Sequence, residues 1–218
     1  MPSVCFYLIG HPTQHDRTEL ALARLKTSDI TPRVITGSIS DGITIDSLDK
    51  AIALSHYRCL VDFARRTRML HRSCPDLVVM EDDVSFDIDN VVSEITSIQK
   101  TLRRRHPNWA TCHLGHLPLG PVLPLGRLCL TTLPFGGHCI MWQRSFVHSI
   151  VKEVPAARFR RPMYMEGMLS VSVFRKFTLR KPIATQIFRP KELRHFDQHM
   201  PLFGTIAANC SFESLNFT

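Results

Sequence analysis

No apolar run in this sequence reaches the roughly 20 residues that a membrane-spanning helix needs. The opening, MPSVCFYLIGHP, lacks the basic region of a secretory signal, and its short apolar stretch reads as a first strand. No CxxC pair occurs among the seven cysteines, which stand at Cys5, Cys59, Cys74, Cys112, Cys129, Cys139 and Cys210. Their odd number and wide spacing argue against a disulfide scaffold and lead us to expect a reducing, cytoplasmic setting. The sequons at Asn209 and Asn216 are then expected to be incidental. GxSxG, HExxH and GxxxxGK[ST] are all missing, which argues against nucleophile-elbow hydrolases, zinc proteases and P-loop enzymes. Without an internal repeat, a low-complexity stretch or a linker, the 218 residues are expected to form one domain.

What is present is ordinary for a globular chain: 44% hydrophobic and 21% charged residues, enough to bury a core without staples. The formal charge is +8, which suits nucleic acid, anionic surfaces or phosphate-bearing ligands. The basic residues are scattered apart from Arg65-Arg66, Arg103-Arg104-Arg105 and the run from Arg158 to Arg161. These fall near helix ends or in loops, where positive charge is favourable, and form no aromatic-interleaved stripe. No stable nucleic-acid partner is expected.

Periodicity alternates strand and helix through the first hundred residues. Strands are predicted at 3–9, 33–39 and 76–80. Between them lies a helix over 15–27 and a stronger one in which Leu54, Tyr57, Val61 and Ala64 share a face. Val91, Ile95, Ile98 and Leu102 mark a further helix, capped by Asp89 or Asn90. Strands at 109–114, 128–133 and 138–142 follow, with a long loop over 115–126, then helices over 146–154 and 166–174. This order predicts an α/β fold with a mostly parallel central sheet and helices on both faces.

The strand DLVVM runs straight into Glu81-Asp82-Asp83. If the strand persists, Glu81 and Asp83 share a face. Strand ends in an open α/β sheet border the crevice where ligands bind. Adjacent carboxylates there suit a hard divalent cation, Mn²⁺ or Mg²⁺, which completes its shell with substrate phosphates. A bland alternative, acidic capping of the next helix, is already served by Asp87 and Asp89.

Five segments in order, CFYLIGHPTQHDRTELALARL, ALSHYRCLVDFAR, DLVVMEDDVSF, GGHCIMWQRSF and KPIATQ, resemble the lipooligosaccharide and procollagen-type galactosyltransferases (glycosyltransferase family 25-like). They span about residues 4 to 187. That family has the glycosyltransferase A fold, and compact single-domain relatives occur in large DNA viruses. The resemblance implies hexose transfer from a nucleoside-diphosphate sugar, a UDP-sugar in the first instance, to a glycan or glycoprotein acceptor. Two departures stand out: the loop after the first strand has Gly10-His11-Pro12 and only Arg17 as a clear basic match, and Glu166 stands where the family carries Asp.

Roles follow from the chemistry and the resemblance together. Asp83 is the first metal candidate and Glu81 the second, with His195 and His199 of RHFDQHM as further ligands. Donor contacts are assigned to Arg17, Ser55, His56, Arg58, Glu81 and Asp82, the arginines because guanidinium matches phosphate geometry. Glu166 is the candidate general base. Cys112, His113, His116, His138 and Cys139 do not follow a usual zinc spacing. Two other readings compete: a metal-dependent nucleotidyl or phosphoryl transferase on a similar sheet, and a basic nucleic-acid-binding module.

Overall fold

The computed structural model describes residues 4–39, 45–69, 76–118, 122–131, 134–154 and 175–187. The chain divides into two compact units, Met1–Gln186 and Ile187–Thr218. The first unit holds every described strand and helix.

Ten strands and four helices occur among the described residues. The strands are β1 (Val4–Gly10), β2 (Arg33–Thr36), β3 (Asp76–Glu81), β4 (Val84–Phe86), β5 (Trp109–Pro118), β6 (Val122–Leu125), β7 (Leu128–Thr131), β8 (Pro134–Gln143), β9 (Arg175–Leu179) and β10 (Ala184–Gln186). The helices are α1 (His15–Thr27), α2 (Ile45–Met69), α3 (Val91–Arg105) and α4 (Arg144–Glu153). Eight strands form one sheet in the order β2-β1-β3-β8-β5-β9-β7-β6, while β4 and β10 pair separately. β7 and β8 run against the other six, so the large sheet is mixed, with most strands in one direction.

Alternation along each strand feeds two cores. One holds Leu8, Val78, Met80, Cys112 and Phe177, packed under Ala21 and Leu25 of α1 and Val91, Ile95, Ile98 and Leu102 of α3. The other holds Tyr7, Leu77, Val79, Ile140 and Trp142, packed under α2 and under Phe146, Val147 and Ile150 of α4. Helices therefore cover both faces, as the alternating pattern predicts.

The structure corrects several sequence expectations. The stretch 115–126 is not one long loop: β5 continues to Pro118, and β6 pairs with β7 around Gly126 at φ +75°, a conformation that costs glycine little. Short β4, β9 and β10 were not foreseen, because three to five residues carry too little periodicity to stand out. On α2 the buried face is rotated. Tyr57 and Ala64 of the expected stripe are buried, but Leu54 and Val61 only partly so, while Ala53, Leu60 and Phe63 complete the buried face. That rotation brings Ser55 and His56 onto the inner side. Asn90 precedes α3 but makes no side-chain capping bond. Cys5 is disulfide-bonded, which runs against the expectation of a reducing setting. Sequence spacing does not reveal which cysteines the strands bring together. Cys59, Cys112, Cys129 and Cys139 are free and buried. No described helix is long and apolar enough to cross a membrane.

At the start of β3, Asp76 is fully buried and ties three elements. It accepts from Gln99 Nε2 at 2.5 Å and Arg103 Nε at 3.0 Å on α3, and from the backbone N–H of Arg144 at 3.0 Å, where α4 begins. Burial pushes its pKa up, and these three donors hold it back. Asp76→Ala leaves the Gln99 amide and the Arg144 N–H without that acceptor. We expect a loss of about 2–3 kcal/mol, seen as a lower denaturant midpoint at unchanged slope.

Candidate active site

β1 lies between β2 and β3, so the chain leaves β1 to one side and returns on the other. The carboxyl ends of β1 and β3 thus flank a topological switch point, where open α/β sheets bind ligands. Ile9 is opposite Glu81, which sets the loop after β1 beside the acidic turn. The ends of β1 and β2 approach closely there. Gly37 N–H donates to Gly10 O at 2.8 Å, and a Cβ on Gly37 would lie 3.0 Å from that same oxygen.

The strand does not persist through the acids. β3 stops at Glu81, and Asp82-Asp83 form a turn into β4. The shared-face argument for Glu81 and Asp83 therefore fails, and each acid meets a different partner. Glu81 Oε1 lies 3.2 Å from His56 Nε2 of α2. Asp82 Oδ1 accepts from Arg17 Nη2 at 2.8 Å, and the Asp82 carbonyl accepts from Arg24 Nη2 at 2.8 Å, both from α1. Asp83 Oδ2 accepts from Gln186 Nε2 at 2.7 Å. Gln186 arrives because β10 pairs antiparallel with β4, Gln186 opposite Val84.

The electrostatics separate the three acids. Burial would raise the Glu81 pKa, but the hydrogen bond and charge of His56, with the fields of His138 and Arg17, more than offset it, so Glu81 is held below the usual range. Asp83 goes the other way, up to about 6, through burial first and then the neighbouring Glu81 carboxylate. Gln186 and Arg17 oppose that rise, and Asp82 adds to it. Asp82 Oδ2, Asp83 Oδ1 and His56 Nδ1 are buried and have no hydrogen-bond partner. Buried polar atoms are nearly always paired, so these three, at the edge of the sheet where such folds bind ligands, make the turn the candidate site.

Other sequence candidates fall into place around this turn. Arg17 and His56 join it, as described. Ser55 is buried, and its hydroxyl is engaged: it donates to Ala51 O at 2.6 Å and accepts from the backbone N–H of Ser38 at 2.8 Å. That ties α2 to the segment after β2. Arg58 is exposed and reaches the Thr36 carbonyl, at the end of β2, at 3.5 Å. Glu166, His195 and His199 lie outside the described residues.

Three residues here were missed by sequence reasoning as parts of the site. Arg24 and Gln186 carried no local signal beyond lying in segments that matched the family. His138 entered only as a dismissed zinc ligand. It is buried on β8, next to Cys139, which pairs with Met80 of β3. Burial lowers its pKa, while Glu81 raises it. A Cβ on Gly115 would overlap His138 Nε2 and the Ala184 carbonyl, so only glycine on β5 leaves the imidazole its place.

Among the described residues no three His, Cys, Asp or Glu side chains form a ready-made metal cage. The turn nonetheless offers hard oxygen donors in orphaned Asp82 Oδ2 and Asp83 Oδ1. Mg²⁺-type sites commonly use one or two carboxylates, the remaining positions being filled by water and substrate phosphates.

No family model matches the chain, and no curated protein does. Among solved structures, it matches A197 from STIV at a TM-score of 0.50 and 11% identity, covering 85% of this chain and 86% of that one. That likeness shows the fold alone. A glycosyltransferase involved in glycosylation of the major capsid of PBCV-1 matches at 0.46 and 10% identity, over 91% of this chain and 99% of that one. Mannose-1-phosphate geranyltransferase from Thermus thermophilus matches at 0.46 and 9%, over 81% and 73%. At those scores the two transferases say nothing about this chain's chemistry.

Asp83 gives a signed pH prediction. Its folded pKa is raised from 3.8 to about 6, so the fold favours the protonated form. Stability from this group is greatest below pH 3.8, falls as pH rises towards about 6, and stays reduced above that. In EDTA at pH 7.5, Asp83→Asn should therefore be more stable than the natural protein by about 1–2 kcal/mol, after allowance for solvent screening. The gain should vanish by pH 4, as read by denaturant titration at both pH values.

Proposed function

We propose that this chain is a metal-assisted glycosyltransferase that moves a hexose from a nucleoside-diphosphate sugar, with UDP as the first base to test, to a glycan or glycoprotein acceptor. The observation that carries the reading is the acidic turn at the switch point of the sheet, with carboxylate oxygens buried and unpartnered. The order of the five family-like segments supports it, since all five supply site residues: Arg17 and Arg24, His56, Glu81 to Asp83, His138, and Gln186.

In this reading Asp83, with Asp82, holds Mn²⁺ or Mg²⁺, and Glu81 is a further ligand or contacts the donor. His195 and His199 remain candidate ligands. Bound there, the ion supplies Lewis-acid neutralisation of the departing diphosphate. Arg17 sits within reach of the same turn as a guanidinium partner for phosphate, and Arg58 serves the rim near β2. His56 holds Glu81 ionised and oriented, so that the carboxylate faces the donor as an acceptor of hydroxyl hydrogen bonds. Ser55 supports His56 from the neighbouring position by fixing α2 to the segment after β2. Glu166 is the proposed base that takes the acceptor hydroxyl's proton as its oxygen attacks the anomeric carbon. A cytoplasmic location and a single-domain organisation complete the proposal.

The test is a donor screen with Mn²⁺ that follows nucleoside-diphosphate release, with and without acceptor glycans. We expect turnover with one nucleotide sugar, its loss in EDTA, and a drop of about 100-fold or more in kcat/KM for Asp83→Asn, equivalent to roughly 2.7 kcal/mol of transition-state stabilisation. Because the same substitution should not weaken the fold, lost activity in a well-folded variant separates chemistry from stability. Full activity in Asp83→Asn would refute the assignment. Turnover of nucleoside triphosphates alone would favour the nucleotidyl or phosphoryl transferase reading.

A further inference from the structure

A second polar cluster lies three strands across the sheet from the strand that carries the acidic turn, on the face that α2 and α4 cover. β9 alternates cleanly: Phe177 and Leu179 enter the core under α1 and α3, so Lys176 and Thr178 point to the opposite face. The registers are continuous across three strands. Thr111 of β5 and Thr131 of β7 flank Lys176, and His113 and Cys129 flank Thr178. Directly paired side chains on one face have Cβ atoms about 5 Å apart, so these six form a compact grid.

All six are buried, none more than 4% exposed. The Lys176 side chain is buried, which lowers its pKa, and among the described residues no carboxylate or hydrogen-bond partner is found for it. The hydroxyls of Thr111, Thr131 and Thr178 are likewise buried without partners. Beside the grid, the residues of β8 opposite Thr111 and His113 are Trp142 and Ile140, so the polar patch ends sharply. Three buried hydroxyls without partners are costly, and the lysine set among them has no counter-charge among the described residues. Natural cores avoid this unless the groups serve a ligand.

We propose that the grid of Thr111, Lys176, Thr178 and Thr131 is a binding site for an anionic group, a phosphate or a carboxylate, with Lys176 as its counter-charge and the threonine hydroxyls as donors. The site is separate from the acidic turn. Lys176 is level with Thr111, Trp142 and Leu77 across the sheet, and Glu81 lies four residues further along β3 and three strands away. Strand geometry makes that about 20 Å. The two sites also have opposite charge preference: one gathers carboxylates, the other presents a cation and hydroxyls.

The test is thermal unfolding of the full chain in EDTA at fixed ionic strength, with chloride replaced by inorganic phosphate in one arm and by malonate in the other. EDTA keeps metal-dependent diphosphate binding at the acidic turn out of the measurement. We expect one anion to raise Tm by about 3 °C or more, saturably, as a ligand specific to the folded state does. Which arm responds separates a phosphate ligand from a carboxylate. Lys176→Met should abolish the rise while leaving Tm in chloride equal or higher, and Lys26→Met, on an exposed face of α1, should keep it. Should Lys176→Met fail to fold, the near-isosteric Thr131→Val and Thr178→Val should each weaken the titration at least threefold. No saturable rise with either anion, or a rise undiminished in these variants, would overturn the proposal.

Discussion

Three consecutive carboxylates at the end of a buried strand repel one another, and the surrounding structure is arranged to keep them there. β3 is buried almost throughout, so the chain has no freedom to turn its acids into bulk water. Instead each acid is assigned a separate neighbour: Glu81 to α2, Asp82 to α1 and Asp83 to the small sheet made by β4 and β10. The compensation is incomplete. Asp83 stays with a raised pKa because Glu81 and Asp82 stand beside it, and one oxygen on each of Asp82 and Asp83 is left without a partner. Adjacent carboxylates with unpartnered oxygens are what the proposed divalent cation would need there.

The same strand carries a fourth acid at its other end, and the contrast is instructive. Asp76 is more deeply buried than Asp83, yet it has three donors and, among the described residues, no carboxylate that acts on it. It joins α3 and α4 to the sheet and does so as a finished network. One strand thus leads from a satisfied acid that organises the fold to acids with unpartnered oxygens, where we propose that a ligand binds. Satisfaction of hydrogen-bonding capacity, more than burial, separates Asp76 from the acids of the turn.

Parts of this were legible in the residues. The periodicity of β1, α1, β3 and α3 is strong because each buries one continuous face or both, and those elements appear within a few residues of their predicted bounds. The acidic turn stood out because three charges after an apolar strand have no structural explanation in sequence alone. What was not legible depended on pairing. The long loop expected at 115–126 contains strand because β7 is there to pair with β6. The inner face of α2 is turned by about one residue, since the sheet and α4 together select Ala53, Leu60 and Phe63 over Leu54 and Val61. His138 and Gln186 become site residues only when β8 lies against β3 and β10 against β4.

The sequence by itself determined the α/β alternation, the position of the acids at a strand end, and the helical placement of Arg17 and His56. These are local properties, written in the spacing of apolar residues and the chemistry of single segments. Only the tertiary structure decided the order β2-β1-β3, which creates the crevice, and the direction of β7 and β8 against the rest. It alone decided that Glu81, Asp82 and Asp83 face three different partners, and that Thr111 and Thr131, from two other strands, flank Lys176. The reason is physical: a strand's neighbours are set by non-local pairing, and nothing in a short segment records which other segment will complete its hydrogen bonds.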